Sequence, residues 1–181
     1  MADIVRDWRT ELVEAYPDLF HPPVGDPGAA QGSPECGEGW CDLLERAFAR
    51  IRTAVQADGG SLKVAQIKEK YGTLRLYWQG SLSPEARAQV AEAVDLAEAR
   101  SACTCELCGE NGRLYGPDWL TTRCMTHARG RPVERPPGFE NIHLMQRIVD
   151  GRLRTVACRR YDRASDRFID VDPASLGIEE E

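Results

Sequence analysis

CELCGENGRLYGPDWLTTRCMTH, residues 105–127, holds two pairs of metal-ligand side chains, Cys105/Cys108 and Cys124/His127, each with two residues between its members. A C-x-x-C turn aims both sulfurs at one centre, and the backbone N–H groups of the turn favour the thiolate form. Gly109 follows directly and supplies the positive φ that lets the chain double back. Asn111-Gly112 and Gly116-Pro117 are turn signals between the pairs. The stretch therefore predicts a β-hairpin joining two knuckles, with Cys124 and His127 at the start of a short helix, as in a zinc ribbon or treble clef. Three thiolates and one imidazole are the donor set of a tetrahedral zinc site. A zinc held by four protein ligands is structural, because catalysis needs an open position for water or substrate. The C-x-C-x-x-C run makes Cys103 a rival ligand, but the spacing works better through Cys105 and Cys108.

Length and charge bound the rest. The chain has 181 residues, enough for one domain with a small appendage, and a formal charge of −6. That balance argues against a general nucleic-acid binder at the whole-chain level. No run is long and apolar enough to cross a membrane. The N-terminal MADIVRDWRTELVEAY carries acids and lacks the apolar centre of a secretory signal. Seven cysteines, an odd number with a metal-type set among them, point to a reducing cytosol and away from a disulfide framework. Cys36, Cys41, Cys103 and Cys158 are left as small buried apolar side chains.

Four segments follow in order. Residues 1–20 form an amphipathic helix from residue 3 onward: Ile4, Trp8, Leu12 and Tyr16 recur every four residues, Asp3 caps the start, and Pro17 ends or kinks it. Residues 21–39, HPPVGDPGAAQGSPECGEG, are a Pro- and Gly-rich loop, long for a structureless connection. Its Glu35, Cys36 and Glu38 lack the spaced partner a second metal site would need. Residues 40–130 are the α+β core with the zinc knuckle. Within it Trp40, Leu43, Leu44, Ala47, Phe48, Ile51 and Val55 make a helical stripe stopped by Gly59-Gly60, with Arg46, Arg50 and Arg52 on a solvated face. Residues 61–79 alternate around Lys70-Tyr71-Gly72 and predict a hairpin. Ser83-Pro84 opens a second helix with a small-residue face, Ala86, Val90, Ala93, Val94 and Ala97, which runs into the knuckle. Residues 131–181 are a C-terminal β-hairpin extension: a proline-rich basic connector, strands around Asp150-Gly151, a third short strand at Phe168-Ile169, and a disordered end at residues 179–181.

Lys68, Lys70 and Arg75 with Tyr71, Tyr77 and Trp78 form a basic and aromatic set on the first hairpin. Such a set can stack bases and hold phosphates, or pack one face and leave long cations in water. No Gly-rich phosphate loop accompanies it.

The runs Glu35-Cys36-Gly37-Glu38-Gly39-Trp40, Lys68–Tyr77 (KEKYGTLRLY), Cys105–Gly109 and Cys124–Ala128 together resemble a family of small zinc-binding proteins encoded by bacteriophages and prophages. The likeness covers about half the chain. It implies a setting, accessory phage genes acting in the bacterial cytoplasm and often blocking host machinery such as defence systems, and it implies no mechanism.

Three functions are weighed. The first is a non-enzymatic, zinc-stabilised module that docks on a host or phage protein, through the loop before Trp40 or the KEKYGTLRLYW hairpin. The second is a zinc-ribbon nucleic-acid-binding protein. The third, a treble-clef nuclease, needs a histidine base and a second metal, and only His21, His127 and His143 exist. A hydrolase using Cys36 or Cys41 lacks a context that identifies its base.

Overall fold

Two helices of equal length carry the core, and each is built from the pattern the sequence gives it. The structure, a computed structural model, describes residues 7–178. The expected Asp3 cap, the Ile4 position and the disordered end at residues 179–181 lie outside the described residues. Helix α1 (Trp8–Ala15) starts at Asp7, whose side chain accepts the Arg9 N–H. Pro17 does break the helix: it takes the first position of the short helix α2 (Pro17–Phe20), where its missing N–H is no loss.

The segment 21–39 corrects the expectation of a bare loop. It contains strand β1 (Pro34–Glu35), which pairs in parallel with strand β2 (Ser61–Lys70) at Ile67 and Lys68. Arg9 fixes it from α1, donating to the carbonyls of Pro34 (3.0 Å) and Cys36 (2.6 Å). Helix α3 (Cys41–Asp58) ends at Gly59 in the left-handed conformation, as the glycine pair predicts. Strands β2 and β3 (Thr73–Ser81) form the expected hairpin, with Tyr71 and Gly72 at positive φ in its turn. Helix α4 (Pro84–Ser101) is capped by the Ser83 side chain on the Ala86 N–H.

The three-stranded sheet β1-β2-β3 has one face on the helices. Trp40, Leu44, Phe48, Ile51, Val64, Ile67, Leu74 and Val90 are all essentially inaccessible and form one core with Leu19 and Phe20. At about 25 cal/mol per Å², each such side chain contributes about 1.5–3 kcal/mol over leaving it in water. Ala93 and Ala97 keep α4 close to α3 and the sheet.

From α4 the chain enters a second sheet, β5-β4-β6, made of β4 (Arg113–Gly116), β5 (Thr121–Arg123) and β6 (Arg131–Pro132). The hairpin predicted between the two ligand pairs is β4–β5. The helix expected at Cys124 is not formed. Residues 125–127 make a single turn, closed by the His127 N–H on the Cys124 carbonyl, and the chain passes on to β6. With Gly130 and Pro132 so near, a helix has too few residues to close. Because β6 pairs with β4, the start of the connector belongs to the knuckle sheet.

The third sheet, β7-β8-β9, comprises β7 (Ile142–Val149), β8 (Arg152–Asp162) and β9 (Arg167–Asp170). Asp150 and Gly151 both sit at positive φ in the predicted turn. The sheet docks on α4 through a small cluster of Leu96, Ala99, Cys103 and Tyr161, with Phe168 beside it.

The arginines of α3 are not a simple solvated face. Arg50 pairs with buried Asp166 (2.7 Å) and Arg52 with Asp18 (2.6 Å), while Arg46 holds Asp42. Asp166 also accepts from the Tyr161 hydroxyl (2.6 Å), and Arg100 bonds the same hydroxyl (3.0 Å). Burial works against the Asp166 charge, but Tyr161, Arg50 and Arg100 outweigh it and hold its carboxyl below the usual range. This knot joins α3, α4 and β8.

Candidate metal centre

The two knuckles meet where the sequence expects. The sulfurs of Cys105, Cys108 and Cys124 and a ring nitrogen of His127 all lie within 4.8 Å of one another. Cys108 and Cys124 Sγ are 3.7 Å apart, and His127 Nδ1 stands 3.3 Å from Cys124 Sγ and 3.6 Å from Cys105 Sγ. In a tetrahedral site with metal–sulfur bonds of about 2.3 Å, sulfurs stand about 3.8 Å apart and sulfur and nitrogen about 3.5 Å. The donors thus fit one metal ion at their centre. It is the sole such group of three or more Cys, His, Asp or Glu among the described residues. Cys103 is not in it; its thiol points back along α4 to the Ala99 and Arg100 carbonyls.

Electrostatics point the same way. Burial opposes ionisation of Cys105, but the backbone N–H groups of Cys124, Leu107 and Cys108, together with His127, bring its thiol down to about 6. At Cys108 the Glu110 N–H favours the thiolate, yet burial and the Cys105 and Cys124 sulfurs overcome it and hold the thiol up. The Cys105 thiolate is ready; that of Cys108 is opposed by its neighbours. A cation at the centre removes that opposition, which is what a thiolate metal site requires.

The frame around the donors is built from residues that sequence reasoning passed over. Glu106, between the first two cysteines, is buried; its carboxylate accepts from Arg123 (2.7 Å) and from the Gly37 N–H (3.0 Å). Arg123 precedes Cys124, so this pair ties one knuckle to the other. The Gly39 N–H donates to the Glu106 carbonyl (2.8 Å), and the Trp40 indole N–H to the Thr104 carbonyl (3.0 Å). Gly37 and Gly39 leave no room for a Cβ against residues 105–109. The signal was present in the sequence: two glycines flanking a glutamate beside a tryptophan mark close backbone approach. Thr122, also buried, donates from its hydroxyl to the Gly72 carbonyl (2.6 Å) and fixes the β2–β3 turn to the knuckle sheet.

The basic and aromatic set does not come together as one surface. Lys68 lies over the Tyr77 ring (5.7 Å) and Lys70 over Tyr71 (5.2 Å). Arg75 turns to Glu98 on α4 (2.6 Å). Trp78 packs against the core, with Arg87 over its ring (5.1 Å). Lys68, Lys70, Tyr71 and Tyr77 are therefore what remains of the predicted patch.

A different aromatic stands out beside the four donors. Trp119, in the β4–β5 loop, is 74 % exposed. It walls two clefts. One, about 490 Å³, lies toward Lys70, Tyr71, Pro117 and Leu120; the other, about 540 Å³, lies toward Leu107, Arg123, Thr126 and His127. Leu107 and Met125 are exposed on the same knuckles.

The remaining nucleophile and base candidates are engaged elsewhere. Burial first, then Glu106, pushes Cys36 to about 12, and burial with Glu45 pushes Cys41 to about 11, so neither is a thiolate at neutral pH. His21 meets the Leu62 carbonyl (3.2 Å), and His143 lies against the Phe168 ring, 3.7 Å from Asp95. Comparison with protein-family models, with functionally described proteins and with solved structures finds no match to this chain.

Proposed function

We propose that this chain is a zinc-stabilised, non-enzymatic binding module that docks on a partner protein through the surface around Trp119. The observation that carries the reading is the exposed tryptophan between two clefts, on a hairpin whose ends are the four metal donors. A rigid aromatic presented on a clamped scaffold is the form of an interface anchor: Trp is enriched at binding hot spots, and little conformational freedom is left to lose. Zinc is the metal that best suits three thiolates and an imidazole at tetrahedral spacing, and with four protein donors it serves the fold. When bound it supplies positive charge and four fixed bonds; Cys105, Cys108, Cys124 and His127 hold the hairpin in register. The likeness to phage-encoded proteins supports a bacterial host complex as the partner, with docking that modulates or inhibits it in the cytoplasm.

The test is affinity purification of tagged protein from a bacterial lysate, with and without nuclease, beside a Trp119→Ala variant. The expected result is a stoichiometric protein partner that survives nuclease and is lost from the variant, with one zinc per chain in both. A partner retained by Trp119→Ala, or recovered only without nuclease, refutes the reading.

A further inference from the structure

The β7–β8 hairpin leaves the body as a two-stranded ribbon. β9 pairs with β8 only from Arg159 to Asp162, so between Arg152 and Cys158 the one strand beside β8 among the described residues is β7. At about 3.4 Å per residue that free stretch runs about 24 Å. A Cβ added at Gly151 in its turn would meet nothing within 4 Å. The base is fixed, by buried Tyr161 and by Arg159, which bonds Glu92 on α4 (2.7 Å).

The two faces of the free stretch differ. On one, Arg152 and Arg154 stand two residues apart on β8, with Val149 opposite Arg152. Arg152 and Arg154 are exposed, and among the described residues their side chains make no ion pair or hydrogen bond. Between Ile142 and Cys158 the sole acid is Asp150, in the turn. On the other face Ile148 is paired with Leu153, and they are 76 % and 65 % exposed. Residues 128–170 carry ten arginines against six acidic residues, in a chain whose total charge is −6.

We infer that this ribbon binds duplex nucleic acid, with Arg152 and Arg154 on the phosphates. Arg152 and Arg154 are two residues apart, about 6.8 Å along the strand, which matches the axial rise of two phosphates on one strand at about 3.4 Å each. A two-stranded ribbon fits the major groove, about 12 Å wide. An acidic protein surface offers neither that regular anion spacing nor a groove for the ribbon. The inference stands apart from the docking role of Trp119.

The test is fluorescence anisotropy of a labelled mixed-sequence duplex with the full-length protein, its Arg152→Gln/Arg154→Gln double variant and Trp119→Ala. Both arginines are exposed, so far-UV circular dichroism of the double variant should match wild type. Two phosphate contacts carry a salt slope of about −1.8, so between about 50 and 200 mM salt the wild type should lose about 12-fold more affinity than the double variant. Trp119→Ala should bind the duplex as wild type does. No binding at the lower salt, an unchanged slope in the double variant, or preferential binding of polyglutamate over the duplex overturns the inference.

Discussion

Gly39→Ala should loosen the metal centre without touching a ligand. A Cβ there would lie 2.5 Å from the Gly109 nitrogen and 2.6 Å from the Cys108 nitrogen, and closer still to the Cys105 carbonyl oxygen. All three are backbone atoms of the first knuckle, so no side chain can swing aside. Gly39 itself is not at a left-handed φ, which leaves the contact as the sole source of the effect. Overpacking of this kind costs about 1–3 kcal/mol. Backing away also stretches the Gly39 N–H bond to Glu106, worth about 1 kcal/mol. The sum is about 3 kcal/mol, and if the ion binds only the closed knuckle, its affinity should fall about 150-fold, at 1.4 kcal/mol per decade. Competition against a chromogenic chelator reads the affinity, and a thermal melt reads the stability. Gly28→Ala is the control, since its added Cβ finds only ordinary contacts at 3.7 and 3.8 Å. A Gly39→Ala protein with wild-type metal affinity and melting temperature would refute the close packing of the GEGW segment on the knuckle.

Removing the metal with a chelator, or one donor with Cys108→Ser, should open residues 100–130, because structural zinc contributes about 10 kcal/mol or more to folding. Hydrogen exchange should show protection lost there and kept in α3; uniform protection in metal-free protein contradicts the clamp. Metal affinity should fall as pH drops through about 6, where the Cys105 thiol of the metal-free chain takes up its proton. A chelator titration flat from neutral pH to well below that value would count against it. Asp166→Asn should cost about 3 kcal/mol, as expected for breaking a buried ion pair. The sign with pH is fixed by the lowered carboxyl. Its contribution is complete above the ordinary value of 3.8 and disappears as pH falls through the lower folded-state value. Acid unfolding of Asp166→Asn should therefore be shallower than that of wild type, and parallel curves would remove Asp166 from the knot.

What the sequence made legible was whatever depends on near neighbours along the chain. The stripe of α3, the Ser83-Pro84 opening of α4, the Tyr71-Gly72 and Asp150-Gly151 turns and the two ligand pairs are all local patterns, and each stands where expected. The α+β class follows from them. The losses are of another kind. The Cys124–His127 helix failed because the next pairing, β6 on β4, takes the chain before a turn can repeat. The basic and aromatic set dissolved because alternation put Trp78 on the core side of β3 and because Glu98, on another element, captured Arg75. Arg50 looks solvent-bound in any helical projection; its partner Asp166 is 116 residues away and leaves no period in the sequence.

These long-range contacts explain why so small a metal site can organise so much of the chain. Four otherwise separate pieces end on the two knuckles: the GEGW segment through Glu106 and Thr104, the β2–β3 turn through Thr122, α4 by direct continuation, and the β8–β9 turn through Arg163 on the Gly109 carbonyl (3.1 Å). Each contact alone is worth about 1 kcal/mol, too little to order a loop against its conformational entropy. Made to one body that a metal at the four donors would fix, they share a single ordering cost. The knuckle is thereby the junction of three sheets, and loss of the ion should loosen the GEGW segment and the Tyr71-Gly72 turn along with it. Hydrogen exchange at Gly39 after chelation measures this: its amide, which donates to the Glu106 carbonyl, should lose protection with residues 105–127, and retained protection would show that the contact stands without the metal.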